Sequence, residues 1–129
     1  MILNLPLLQL GLIGVAGAAG ALSRYLLGRF IAGHILSQIP FGTLFINLSG
    51  AFLIGLVAGL TNQHTINPAL QMVLATGFLG GFTTFSTMQW EGTQLIYGGS
   101  TTSGLLYLAG TFAFGIPLAA LGLLLGRFI

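Results

Sequence analysis

The residue types best suited to chemistry in this chain crowd into one stretch, Gly77-Phe78-Leu79-Gly80-Gly81-Phe82-Thr83-Thr84-Phe85-Ser86-Thr87. Three glycines fall within five residues, and each weakens a helix by about 1 kcal/mol relative to alanine. Four hydroxyls follow, with phenylalanines at 78, 82 and 85. The stretch lies inside an apolar segment long enough to cross a bilayer. Backbone that leaves helical geometry at that depth persists only where protein or a wet cavity satisfies it. Broken membrane helices are one way of building ion sites. Phe82 and Phe85, three apart, are expected on one helix face, with Phe78 four residues before Phe82. Aromatic rings carry a negative face and a positive edge, so ring edges can attract a small anion without a full charge. Thr83, Ser86 and Thr87 are expected on a second face of that helix, either lining a wet track or bonding back to the carbonyl four residues earlier.

Further polar candidates lie outside this stretch. Asn47 sits inside an apolar segment, where a buried amide needs partners: an interhelical hydrogen bond or a pore-lining role. Tyr107, Thr111 and Gly115 repeat at intervals of four and suggest a second polar track. Arg24 is a charge well inside the first apolar run. It reads as a snorkelling anchor, a pin on backbone carbonyls, or an attractor at a vestibule. Glu91 and Trp90 read as interface residues. Enzyme chemistry is not expected, because Glu91 is the only acid and no carboxylate pair exists. His34 and His64 both fall in expected loops without an acidic partner, and neither joins a metal-binding cluster.

The elements that position these residues are membrane helices. Charged side chains make up 3% of the 129 residues and hydrophobic ones 55%, with mean hydropathy +1.02. A soluble domain carries about 25% charged residues. The chain is therefore an integral, all-α membrane protein. Its charged residues are Arg24, Arg29, Arg127 and Glu91, with no basic cluster for nucleic acid. The absence of cysteine excludes thiolate chemistry. The first 23 residues lack Lys and Arg, so the leading apolar run is expected to remain as a membrane helix.

A span needs about 20 apolar residues, which predicts a single transmembrane domain over 1–129 with spans near 7–31, 42–60, 68–97 and 105–125. The third starts at an Asn67 cap with Pro68 at its first position and is broken near its middle. The turns are expected at 33–40, 61–65 and 98–103. Arginines on the two sides nearly balance, which permits insertion in both orientations. Two opposed copies could then pair about an in-plane axis. Small-residue faces at Ala51/Gly55/Gly59, Gly122/Gly126 and Gly17/Ala21/Arg24/Gly28 suit close helix packing, within one chain or between copies.

Three stretches resemble the Fluc family of fluoride channels, also called CrcB proteins. They are Gly17-Ala-Ala-Gly20-Ala21-Leu-Ser-Arg24-Tyr25, Gly42-Thr43-Leu-Phe-Ile-Asn47-Leu-Ser-Gly50-Ala-Phe-Leu-Ile-Gly55, and Gly77 to Thr87 extended to Glu91. The resemblance implies an antiparallel, dual-topology homodimer in the cell (inner) membrane, with two pores that let fluoride leave passively and so give fluoride resistance. It implies that Asn47 lines the pore and that Phe82 and Phe85 present ring edges to the ion. It assigns Tyr107 and Thr111 to the polar track and Arg24 to the vestibule. It places a structural sodium ion at the dimer interface, on backbone carbonyls near Gly77 and Gly80. Met88, Gln89 and Gly115 depart from the family pattern. A small drug/proton antiporter, which wants a deep carboxylate, and a non-conducting accessory subunit are the competing readings.

Overall fold

The computed structural model describes residues 6–129. Four helical passes are long and apolar enough to cross a membrane, and no strand occurs among the described residues. The first pass is α1 (Leu7–His34) and the second is α2 (Phe41–Asn62). The third pass comprises α3 (Pro68–Gln71), a π-helical stretch (Met72–Leu79), α4 (Gly80–Phe82) and, after the break, α5 (Phe85–Tyr97). The fourth is α6 (Thr101–Phe128).

The helices run past the hydrophobic cores expected for them. α1 continues through the expected loop residues Gly33 and His34, and His34 closes it with Nδ1 2.8 Å from the Phe30 carbonyl. A ring nitrogen facing a carbonyl at that distance donates its proton, which ties the last turn together. The turn expected at 98–103 shortens to 98–100, because Thr101 to Ser103 form the first turn of α6. Both tight turns end their helices in the left-handed manner. His64 has φ 59° and Gly99 φ 94°. Behind them, the amides of Thr65 and Ser100 reach back to the Leu60 and Leu95 carbonyls.

The small-residue faces are used within the chain. A Cβ on Gly55 would sit 2.0 Å from the Ala119 carbonyl oxygen, and one on Gly122 2.1 Å from that of Phe52. Gly59 and Gly126 meet one turn further along. α2 and α6 therefore touch backbone to backbone, in the way small residues permit in lipid. A second seam joins α1 to the third pass: a Cβ on Gly20 would meet the Phe78 carbonyl at 2.0 Å, and one on Gly81 that of Gly17 at 2.2 Å. Between the seams lies a small core of Ile46, Val57, Leu79 and Phe82. Most other large apolar side chains point outward, Leu8, Val15, Leu26, Phe114 and Ile116 among them. Their environment is lipid or another protein, not water.

Candidate functional site

The break in the third pass follows the glycines rather than coinciding with them. Gly77, Gly80 and Gly81 all remain helical, and the chain turns extended only at Thr83 (φ −81°, ψ 156°) and Thr84 (φ −148°, ψ 114°). Two adjacent β-branched residues favour that geometry. The π-helical stretch just before them widens the helix, a distortion common at functional sites. The Gly80 amide there reaches both the Ala75 and the Gly77 carbonyls. Phe82 and Phe85 consequently do not share a helix face as expected: two extended residues separate them. Phe82 is 7% exposed in the core and stacks on Phe78 with centroids 5.8 Å apart, whereas Phe85, opening α5, is 63% exposed. Thr83 likewise lies outside the helix that carries Ser86 and Thr87.

The side chain of Asn47 on α2 holds the break. Its Oδ1 accepts the Thr84 amide at 2.8 Å and its Nδ2 donates to the Thr84 carbonyl at 3.0 Å. Thr84 in turn caps α5, its Oγ1 accepting the Thr87 amide at 3.2 Å and meeting the Thr87 hydroxyl at 3.0 Å. On the other side, Arg24 Nε donates to the Gly81 carbonyl at 3.2 Å. Of the roles considered for Arg24, a pin on break carbonyls is the one seen within the chain. Gly50 leaves room for the Thr83 methyl, which a Cβ there would meet at 2.2 Å.

Two cavities flank this junction. One, of about 410 Å³, is lined by Arg24, Tyr25, Arg29, Thr43, Thr87 and Glu91 among others. Thr43 Oγ1 donates to Glu91 Oε1 across it at 2.7 Å. The other, of about 310 Å³, is lined by Asn47, Gly80, Thr83, Phe85, Met88 and Thr111 with neighbours. Thr84 lines both. The structure thus gathers Asn47, Thr83, Phe85, Thr111 and Gly80 around one space and Arg24, Thr87 and Glu91 around the other. Phe82, Ser86, Gly77 and Tyr107 line neither. Tyr107 is 2% exposed, and its hydroxyl is buried with no hydrogen bond that meets distance and angle limits among the described residues. Thr84 and Thr43 had no role in the sequence reading. The signal for Thr84 was available: a threonine three residues before another, at the start of a helix that follows a break, is a capping pattern.

The polar groups differ in what they can offer an ion. The Thr83 hydroxyl donates to the Leu79 carbonyl at 2.9 Å, and that of Thr111 to the Tyr107 carbonyl at 2.8 Å. In these rotamers each hydroxyl proton is taken by the helix's own backbone. Asn47 Nδ2 carries a second proton beyond the one given to Thr84. The first amides of α5 have no helical carbonyl upstream, and the Phe85 ring adds an edge. The lining of this cavity contains hydrogen-bond donors but no arginine or lysine.

Residues 11–123 match the family model described as CrcB-like protein, Camphor Resistance (CrcB). The chain belongs to the CrcB family. Among curated CrcB relatives, it is 42% identical to the fluoride-specific ion channel FluC of Thermus thermophilus over 89% of this chain and 91% of that protein. The FluC of Aquifex aeolicus is 42% identical over 89% of this chain and 94% of its own length. FluC 2 of Clostridium acetobutylicum is 39% identical over 92% and 94% respectively. These CrcB relatives are ion channels, not enzymes, and the break, Asn47 and Arg24 all fall inside the matched region.

Proposed function

We propose that this chain is a fluoride-selective channel that lets fluoride leave the cell passively across the inner membrane and so gives fluoride resistance. The observation that carries the reading is the convergence of Asn47, Thr83, Phe85 and Thr111 on one cavity at a helix break, in a chain whose relatives are named fluoride-specific channels. Fluoride is strongly hydrated, so a pore must replace its water with donors that still release it. An amide proton, helix-start amides and ring edges meet that need, and the absence of a cationic side chain in this cavity favours release. Arg24 and Arg29 beside the other cavity supply attraction at a vestibule. We assign Tyr107 to the track as well, its buried hydroxyl lying outside the lining of both cavities. Phe82, Ser86 and Thr87 complete the set of residues we assign to the path.

The functional unit we propose is an antiparallel homodimer of oppositely inserted copies with two pores. A single chain presents Phe85, Ser86 and Gly80 on its exposed surface, where a second copy would enclose them. A structural sodium ion belongs to this reading, on carbonyls of Gly77 and Gly80. The Gly80 carbonyl fits such a role: its regular helical donor, the Thr84 amide, bonds to Asn47 instead. A Cβ on Gly80 would find nothing nearer than the Ala75 oxygen at 3.7 Å, so the backbone is accessible. When bound, sodium would balance carbonyl dipoles freed by the break.

The test is fluoride efflux from liposomes holding the purified protein, with voltage clamped by potassium and valinomycin and chloride-loaded vesicles in parallel. Fluoride release without chloride release supports the channel. Release of neither ion from monodisperse protein overturns it.

A further inference from the structure

Thr84 has unpaired extended backbone in a helical bundle, with no strand beside it to satisfy its amide and carbonyl. The Asn47 side chain supplies both partners, at 2.8 and 3.0 Å, as a neighbouring strand would. No other side chain bonds to the Thr84 backbone among the described residues. Thr84 is also where the two cavities meet, and the next residue is Phe85, whose ring opens onto the second of them. The pair spans 37 positions in sequence and ties α2 to the junction itself.

We infer that Asn47 is a positioning residue: it latches the Thr84 peptide, and through it sets where Phe85 and the start of α5 stand. The inference rests on the channel reading for its consequence but not for its geometry. The latch is specific to a carboxamide of this length. Aspartate keeps an acceptor for the Thr84 amide but sets a second oxygen against the Thr84 carbonyl. Leucine keeps similar bulk and loses both bonds. The Thr84 hydroxyl still caps the Thr87 amide when Asn47 is replaced, so the first turn of α5 survives while its position at the break loosens.

The experiment has two arms on the full-length protein. Hydrogen exchange is measured in detergent for wild type, Asn47→Asp and Asn47→Leu. The Thr84 amide is expected to exchange about tenfold faster in Asn47→Leu, the usual worth of one hydrogen bond, and less so in Asn47→Asp. Amides in the second half of α5 should not change. An unchanged Thr84 amide, or equal acceleration throughout α5, overturns the latch. The second arm measures fluoride and chloride efflux from liposomes. Thr84→Gly, which loosens the backbone while leaving Asn47 intact, is expected to lower the fluoride-to-chloride rate ratio as Asn47→Leu does, with Thr84→Ser recovering it. A folding defect alone lowers both rates and leaves the ratio. If Asn47→Leu lowers the ratio and Thr84→Gly leaves it at the wild-type value, Asn47 acts on the ion directly and the positioning role fails. If wild type passes no fluoride, the channel reading fails, and the exchange arm still decides the latch.

Discussion

Replacing Gly122 with alanine measures how tightly α2 and α6 are closed. A Cβ there lies 2.1 Å from the Phe52 carbonyl oxygen and 2.8 Å from the Leu56 amide nitrogen. A comfortable C···O contact is about 3.3 Å, so the helices must separate by roughly 1 Å at this point. The atoms in the way are backbone, not the tip of a flexible side chain. Separation also opens the contacts at Gly55, Gly59 and Gly126, and a gap of that size forfeits about a quarter to a half of each dispersion well. Overpacking costs about 1–3 kcal/mol, and rigid obstacles put this case at about 3. Alanine returns about 1 kcal/mol as the better helix former. The net expectation is a loss of about 2 kcal/mol. Gly14→Ala is the matched control, because it is exposed in α1 with nothing within 4 Å of a Cβ. It should gain up to about 1 kcal/mol. Thermal denaturation in detergent, followed as the monodisperse fraction by size exclusion, should lower the midpoint for Gly122→Ala and raise it for Gly14→Ala. Equal midpoints for the two variants would refute a backbone-to-backbone seam.

His64 holds a left-handed conformation that glycine adopts freely, so His64→Gly should stabilise the protein by about 1 kcal/mol in the same assay. Gly99→Ala, at φ 94°, should destabilise it by about 1 kcal/mol. Arg24→Leu leaves the Gly81 carbonyl without its donor, which should cost about 1–3 kcal/mol and lower fluoride efflux from liposomes. Phe82→Ala empties a core position and should cost about 3–5 kcal/mol, lowering the thermal midpoint sharply. Phe85→Leu should leave most of that stability while lowering fluoride efflux by about tenfold, a change of about 1.4 kcal/mol.

Much of the fold was legible because a bilayer narrows the choices. Length and hydropathy alone define four helices, and Asn67-Pro68 marks the third start, where the Asn67 side chain indeed accepts the Leu70 amide. The Gly77–Thr87 run announced a break, but its place was set by something local sequence does not carry. Glycine propensity points at residues 77–81, yet Gly77 and Gly81 pack against α1 and the segment stays helical through all three glycines. The extended pair Thr83-Thr84 is fixed by Asn47, 37 residues away. Helical spacing was therefore the wrong ruler for Phe82 and Phe85, and for Thr83 beside Ser86. The glycine faces on α2 and α6 were visible, while their pairing inside the chain depends on which helices are neighbours. The role of Thr43 is not legible locally because its hydroxyl meets Glu91, 48 positions away, and that of the Thr84 backbone because its partner Asn47 lies 37 positions away; only the Thr84 hydroxyl cap on Thr87 is local.

The central claim is tested most directly by fluoride and chloride efflux from liposomes carrying the purified wild-type protein, read with ion-selective electrodes under a valinomycin clamp. The account predicts rapid fluoride release with chloride retained. Retention of both ions by vesicles holding monodisperse, correctly sized protein, or equal release of both, would contradict it.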